Sequence, residues 1–460
     1  MKTRTQLRRS LKEIQRRLGV TTILVTHDQE EAFELADRIG AIERGRLLEV
    51  GTAEELYARP KSLFGATFLG NGTVLIGRVE GGVARFGSLS LPIPATVPHT
   101  EGALVQLLFR PEQVVLSADK PESQRPLIGR GEIIEESFAA AFRRVRLHLP
   151  RLSATWQISP ALPFGEQGLI VDTVLPAGDT LPSRELWVGL KGWHILEQPP
   201  AHLLVCDDGS GPTTALGIAR QLSERLKAST TLLGITHDSE AAEVFRGKLK
   251  RRQEKAGFPH AELRVRYGSA VAQIASEQVE SLYELLVLSA KPRLFRWLDP
   301  RPRRIGSTML KILANTTVPV LVVSGRQTQI ERMLICSAAG EPGKKDVQVG
   351  GRLAQRLGVP VTLLHLTRNA EKLSPETRSH LDRAITTLKE LDVVCEMRIR
   401  QASAPEAGIL AEAHDGNHDL IVIGKRRSES RTLFGFDGTT LRVLARADRP
   451  VLVVPDTESE

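Results

Sequence analysis

The sequence predicts a mixed α/β and β protein in four parts. An α/β segment spans 1–69, a small β-barrel or β-sandwich 70–198, and two five-stranded parallel α/β domains 201–326 and 330–457. Three observations carry this prediction. Apolar runs in the C-terminal half recur at a fixed offset. Helix-spaced apolar residues separate those runs. Between about 70 and 198 the texture changes to short strands broken by Gly and Pro turns.

At the N-terminus, Leu7, Leu11, Ile14 and Leu18 form one stripe of a helix over 3–18, with Gly19 placed to end it. A strand is expected at 22–26, then His27 and a helix through Ala36. The runs 73–79 and 105–109 typify the β-rich part, and Pro199-Pro200 marks its end. The repeat then begins. Residues 202–206 (HLLVC) recur as 332–336 (RMLIC), an offset of 130, and 319–323 recur as 450–454, an offset of 131. Residues 285–289 (LLVLS) match 420–424 (LIVIG). In the first copy the strand-like runs are 202–206, 231–235, 262–266, 284–288 and 319–323. Leu216, Ala219, Leu222 and Leu226 share one helical face between two of them, and Pro212 sits where that helix would start. Continuous apolar strands joined by such helices imply parallel pairing with both sheet faces covered. Domains of this kind bind ligands at the carboxyl ends of their strands.

Composition narrows the function classes. No apolar run approaches the roughly 18–20 residues needed to cross a bilayer. The opening Met1-Lys2-Thr3-Arg4 leads into a charged helix rather than a signal peptide. Cys206, Cys336 and Cys395 have no CxxC spacing, and free thiols in a reducing, cytoplasmic setting are expected. The net charge of +8 raises nucleic acid as a partner. The basic residues are scattered, however, and aromatics are only 4%, so no nucleic-acid binding is predicted. His237, His365 and His414 lie near strand or helix ends without metal-ligand spacing, and no metal is predicted.

The stretch Val25-Thr26-His27-Asp28-Gln29-Glu30-Glu31-Ala32 is the most specific short motif. With Asp37-Arg38-Ile39, Gly45-Arg46-Leu47, Gly51-Thr52 and 57–70, it resembles the ATP-binding subunits of ABC importers for sugars, sulfate and polyamines. Leu108-Phe109-Arg110-Pro111-Glu112 resembles the appended TOBE domain of those subunits. The resemblance covers about 1–200. It implies that His27 is the switch histidine that contacts a γ-phosphate, and that a permease or ATPase subunit of an importer is a partner, with the chain peripheral to the membrane at most. The phosphate loop G-x-x-x-x-G-K-[ST] of that family occurs nowhere in the chain. Its signature motif and its acidic strand end, which would precede Met1, are absent from the sequence too. The chain alone is therefore not expected to hydrolyse ATP. Two origins stay open: a truncated or frameshifted piece of a longer transport ATPase, or a docking module that kept its fold and lost catalysis.

The two C-terminal units resemble universal stress proteins, of the HUP-like fold. ATP-binding members of that family carry an Asp after the first strand and Gly-x2-Gly-x9-Gly-[Ser/Thr] after the fourth. In the first copy Asp208-Gly209-Ser210 matches the acidic element and Gly306-Ser307-Thr308 the end of the loop. Ser289 and Pro292 replace the earlier glycines, with Arg301, Arg303 and Arg304 between. In the second copy Ser337 stands for the Asp, Gly424 is present, Arg427 replaces the middle glycine, and Gly438-Thr439 comes one residue late. The resemblance leaves two alternatives: weak ATP binding by half-sites with arginines as phosphate ligands, or units without nucleotide. It also implies that the two domains pair within the chain, with 319–323 and 450–454 near the pseudo-two-fold contact. The resulting expectation is a regulatory or stress-response protein, with a stand-alone adenine-nucleotide-binding protein as the alternative.

Overall fold

The computed structural model describes all residues except 1, 44–45, 98, 100, 122–124, 153–154, 161, 163–165, 198–200, 211, 238–240, 281–282, 291–304, 326, 338–340, 368–372, 426–437 and 456–460. The chain forms two compact units, residues 1–163 with 167–199, and residues 164–166 with 200–460. No described helix is long and apolar enough to cross a membrane.

The first unit opens with α1 (Lys2–Leu18), which Gly19 ends in the left-handed region at φ +63°. The stripe Leu7, Leu11, Ile14 and Leu18 is exposed rather than packed. What fixes α1 is its other face: Arg8 is buried and reaches Asp28, Glu30 and Glu34 around α2 (Gln29–Leu35). The strand expected at 22–26 is not formed. That segment pairs with no described strand, and Ile23 and Val25 are 90% and 88% exposed. A β-branched run becomes a strand only where a neighbour takes its ladder hydrogen bonds, and none among the described residues does so here. Asp28 caps α2 by accepting from the Glu31 N–H.

Next come the antiparallel pair β1 (Ile39–Glu43) and β2 (Arg46–Gly51), α3 (Ala53–Ala58) and α4 (Leu63–Phe68). Thr52 and Glu55 form a reciprocal cap at the start of α3. The β-rich part has two antiparallel sheets. One contains β3 (Thr73–Glu80), β4 (Val83–Phe86), β5 (Leu89–Pro92), β6 (Leu104–Phe109), β10 (Trp156–Ser159) and β13 (His194–Glu197). The other runs β11 (Leu169–Pro176), β9 (Phe142–Leu149), β8 (Leu127–Ala139), β12 (Glu185–Leu190) and β7 (Val114–Ser117). Leu75, Phe86 and Leu107 of the first sheet share one apolar core with Leu147, Val171 and Val188 of the second. Arg110 fastens α3 and α4 to this part. It is 1% exposed and donates to the carbonyls of Tyr57, Ala66 and Gly70.

In the second unit two copies of one topology build a single ten-stranded sheet. The first copy comprises β14 (His202–Cys206), α5 (Thr214–Leu226), β15 (Ser229–Thr236), α6 (Ala241–Lys255), β16 (Glu262–Tyr267), α7 (Ala270–Glu280), β17 (Leu285–Ser289), α8 (Ser307–Asn315) and β18 (Val320–Val323). The second repeats the order as β19 (Met333–Cys336), α9 (Glu341–Leu357), β20 (Val361–Thr367), α10 (Pro375–Glu390), β21 (Cys395–Gln401), α11 (Pro405–Asp415), β22 (Leu420–Gly424), α12 (Gly438–Arg446) and β23 (Val451–Val454). Within each copy every described strand pair is parallel; the copies meet where β18 pairs antiparallel with β23, Leu321 opposite Leu452. Apolar layers fill both faces of the sheet. α5, α9 and α10 cover one, and α7, α8, α11 and α12 the other.

Candidate functional site

β14 lies between β15 and β17, so the strand order reverses on either side of it, and a crevice is left at the carboxyl ends there. In the first copy that crevice is a cavity of about 530 Å³. Leu233, Ile274, Leu288, Met309, Ile312 and Val322 make its walls apolar, while Asp207, Asp208, Ser289 and Thr308 supply polar groups. Cys206, a free and half-buried thiol, also lines it, and burial pushes that thiol well above its ordinary range.

The two adjacent acids differ in state. Asp207 is 6% exposed; its carboxylate accepts from the Gly209 N–H at 2.8 Å and from Arg252 Nε at 2.9 Å. Arg252 also donates to the Ser210 carbonyl, so a helix side chain clamps the whole turn. Gly209 stands at φ +72° against the Phe245 ring, which leaves no room for a Cβ. Asp208 is exposed and accepts from the Ser210 N–H and hydroxyl. Across the cavity, Gly306 precedes α8, and Ser307 opens that helix without a side-chain cap on its first N–H groups. Arg301, Arg303, Arg304 and Pro292 fall outside the described residues.

Strand register corrects one expected correspondence. The N–H of Asp207 donates to Leu233 O and that of Ser337 to Leu364 O, so Ser337 stands opposite Asp207, not Asp208. Ser337 Oγ lies 3.1 Å from His380 Nε2, and His365 Nδ1 lies 3.3 Å from the Ser337 carbonyl. His365 is buried within β20, two residues before its end. His237 and His414 are exposed. The space against Gly424 is taken by the buried carboxylate of Asp346, which a Cβ there would meet at 2.6 Å. Thr440 donates to the Gly424 carbonyl. Gly438 and Thr439 open α12, where Arg442 stands between Thr439 and the buried Glu406. Arg427 lies outside the described residues. No group of three metal-binding side chains occurs among the described residues.

The structure brings Asp208 and Gly306 to the cavity of the first copy, with Gly209, Ser210 and Ser307 next to them in the chain; in the second copy Gly424 ends β22, and Gly438 and Thr439 open α12. His27 belongs to the first unit, where it is exposed between the 22–26 segment and α2. Sequence reasoning missed Asp207 and Arg252. The signal was present, since Asp207 follows the strand directly and the basic run 248–252 lies on a helix that packs beside it.

Residues 330–455 match the family described as Universal stress protein family. They form a universal stress protein domain. Over part of its length the chain resembles ABC importer ATP-binding subunits. It is 36% identical over 189 residues to the sulfate/thiosulfate import ATP-binding protein CysA 2 of Chromobacterium violaceum, covering 40% of this chain and 50% of that one. It is 38% identical over 126 residues to the Fe(3+) ions import ATP-binding protein FbpC 1 of Haemophilus influenzae, covering 26% of this chain and 38% of that one. The chain thus spans half or less of the length of these curated relatives. A solved universal stress protein from Archaeoglobus fulgidus is 16% identical, with a TM-score of 0.45, covering 57% of this chain and 98% of that one. The protein is a fusion of an importer-subunit-like part with a universal stress protein domain.

Proposed function

We propose that this fusion is a regulatory protein on the cytoplasmic side of an importer, in which the first α/β copy is a second universal stress protein domain that binds a small molecule with an adenosine-like body. The observation that carries the reading is the 530 Å³ cavity at the strand ends of that copy. Its apolar walls suit a flat base, Asp208 presents an acceptor to ribose or amino donors, and the open N-terminus of α8 favours an anion. ATP binding is weak and salt-sensitive in this reading, because Ser289 and Pro292 stand where the loop's earlier glycines would be and the sequence offers arginines in place of glycine amides as phosphate ligands. Calorimetry with adenosine and ATP at low and moderate salt tests it. Heat that saturates for both ligands and falls in Asp208→Ala is expected; an unchanged affinity in that variant would place the ligand elsewhere.

A second reading of the front unit rests on its exposed apolar stripe. Leu7, Leu11, Ile14 and Leu18, together with Ile23, Leu24 and Val25, face solvent next to an unpaired β-branched segment. Such a surface suits burial against further parts of an importer ATP-binding subunit. On this reading the 460 residues alone bind no Mg·ATP productively, since the phosphate loop is missing from them. Added importer ATPase or permease subunits should pull down the chain, and Ile23→Glu with Val25→Glu should abolish the capture.

A further inference from the structure

We infer that the ligand cavity of the first copy is a composite site, completed by Leu444 of the second copy, which sets how bulky an apolar group the cavity accepts. The inference rests on the small-molecule reading above. Leu444 is the one described lining residue that the first copy does not supply. It lies on α12, is 5% exposed, and belongs to the same apolar layer as Ile312, Val320 and Val322.

Its position is fixed from three sides. The β18–β23 pairing brings the end of α12 against the first copy. Ser324, just after β18, donates to the Ala447 carbonyl at 3.2 Å and the Arg449 carbonyl at 2.7 Å, one turn beyond Leu444. Lys425 of the second copy donates to the Ala314 carbonyl at the end of α8, at 2.6 Å. The backbones approach so closely at this seam that a Cβ on Gly325 would overlap the Asp448 carbonyl. A side chain held this way cannot withdraw without breaking the seam. It is therefore a wall, and ligand binding in the first copy requires the docked pair.

Leu444→Trp adds bulk at this wall, and Leu444→Ala removes it. Leu441→Trp changes the same helix one turn earlier, at a residue outside the lining. In the full chain two probes are used: adenosine by calorimetry, and xenon, which enters apolar cavities without needing hydrogen bonds. Xenon is read by the methyl resonances of Leu233, Ile274 and Leu288. Leu444→Trp should abolish the xenon shifts and weaken adenosine at least about tenfold, while Leu441→Trp leaves both unchanged. Leu444→Ala should enlarge the xenon response. If the wild type takes xenon but not adenosine, and Leu444→Trp removes the xenon shifts, the composite wall stands and the adenosine reading falls. Unchanged xenon shifts in a folded Leu444→Trp, or in Leu444→Ala should the tryptophan variant not fold, would overturn the inference. So would a wild type that takes up neither probe.

Discussion

The guanidinium of Arg110 lies 4.4 Å from the centre of the Tyr57 ring and donates to the backbone carbonyl of that same tyrosine, at 2.8 Å from one nitrogen and 3.1 Å from another. The tyrosine hydroxyl in turn donates to Glu112 at 3.0 Å. Burial, with Glu112 beside it, pushes that hydroxyl up to about 12. Arg110→Ala leaves the carbonyls of Tyr57, Ala66 and Gly70 without their donor and should cost about 3–5 kcal/mol. Arg110→Lys should recover only part of this, because one ammonium cannot span three carbonyls. Hydrogen exchange over 57–70 in the full chain checks both; unchanged protection in the alanine variant would refute the clamp.

Arg252→Met should destabilise the second unit by about 3–5 kcal/mol, since it leaves the Asp207 carboxylate buried without its cation. The double variant Asp207→Asn with Arg252→Met should recover most of the loss. Urea titrations of the four proteins form a cycle, and purely additive effects would show that the pair is not coupled.

The stability of the first unit should fall as pH drops through about 6.5. His194 is half-buried and its ring bonds the Pro60 carbonyl at 2.9 Å; this partial burial lowers its pKa below the ordinary value. The unfolded chain therefore binds a proton that the folded one does not in the window between the lowered value and about 6.5, and stability rises with pH across it. Below that window the slope vanishes. His194→Gln should flatten the dependence, measured by thermal unfolding in steps from pH 7.5 to 5.

Residues 201–457 expressed alone should unfold in one cooperative transition, because both faces of their sheet carry continuous apolar layers. Calorimetry decides this. Two separated transitions, one for each copy, would mean that the β18–β23 seam does not couple them.

The strands and the repeat could be read from the sequence because burial on both sheet faces demands unbroken apolar runs, and runs such as 202–206 and 332–336 have no other use. The helix face Leu216, Ala219 and Leu222 was legible for a similar reason, and all three are buried. The 22–26 segment was not: Ile23 and Val25 have strand chemistry, but a strand also needs a neighbour, which no local pattern reports. The candidate site was legible only in part. Asp208 and Gly306 could be placed by motif, whereas Asp207 is distinguished from Asp208 by its meeting with Arg252, 45 residues away. Leu444 looks like any apolar helix residue, and only the seam between the copies brings it to the cavity.

That seam has an evolutionary consequence. When a two-fold assembly forms from identical chains, every substitution appears twice, and the assembly dissolves on dilution. Here β18 and β23 belong to one polypeptide, so their partnership is unimolecular and survives at any dilution. Each half can also mutate without consulting the other. Asp207 where the second copy has Ser337, and a cavity at the strand ends of the first copy where Asp346 stands against Gly424 in the second, are differences that such independence permits.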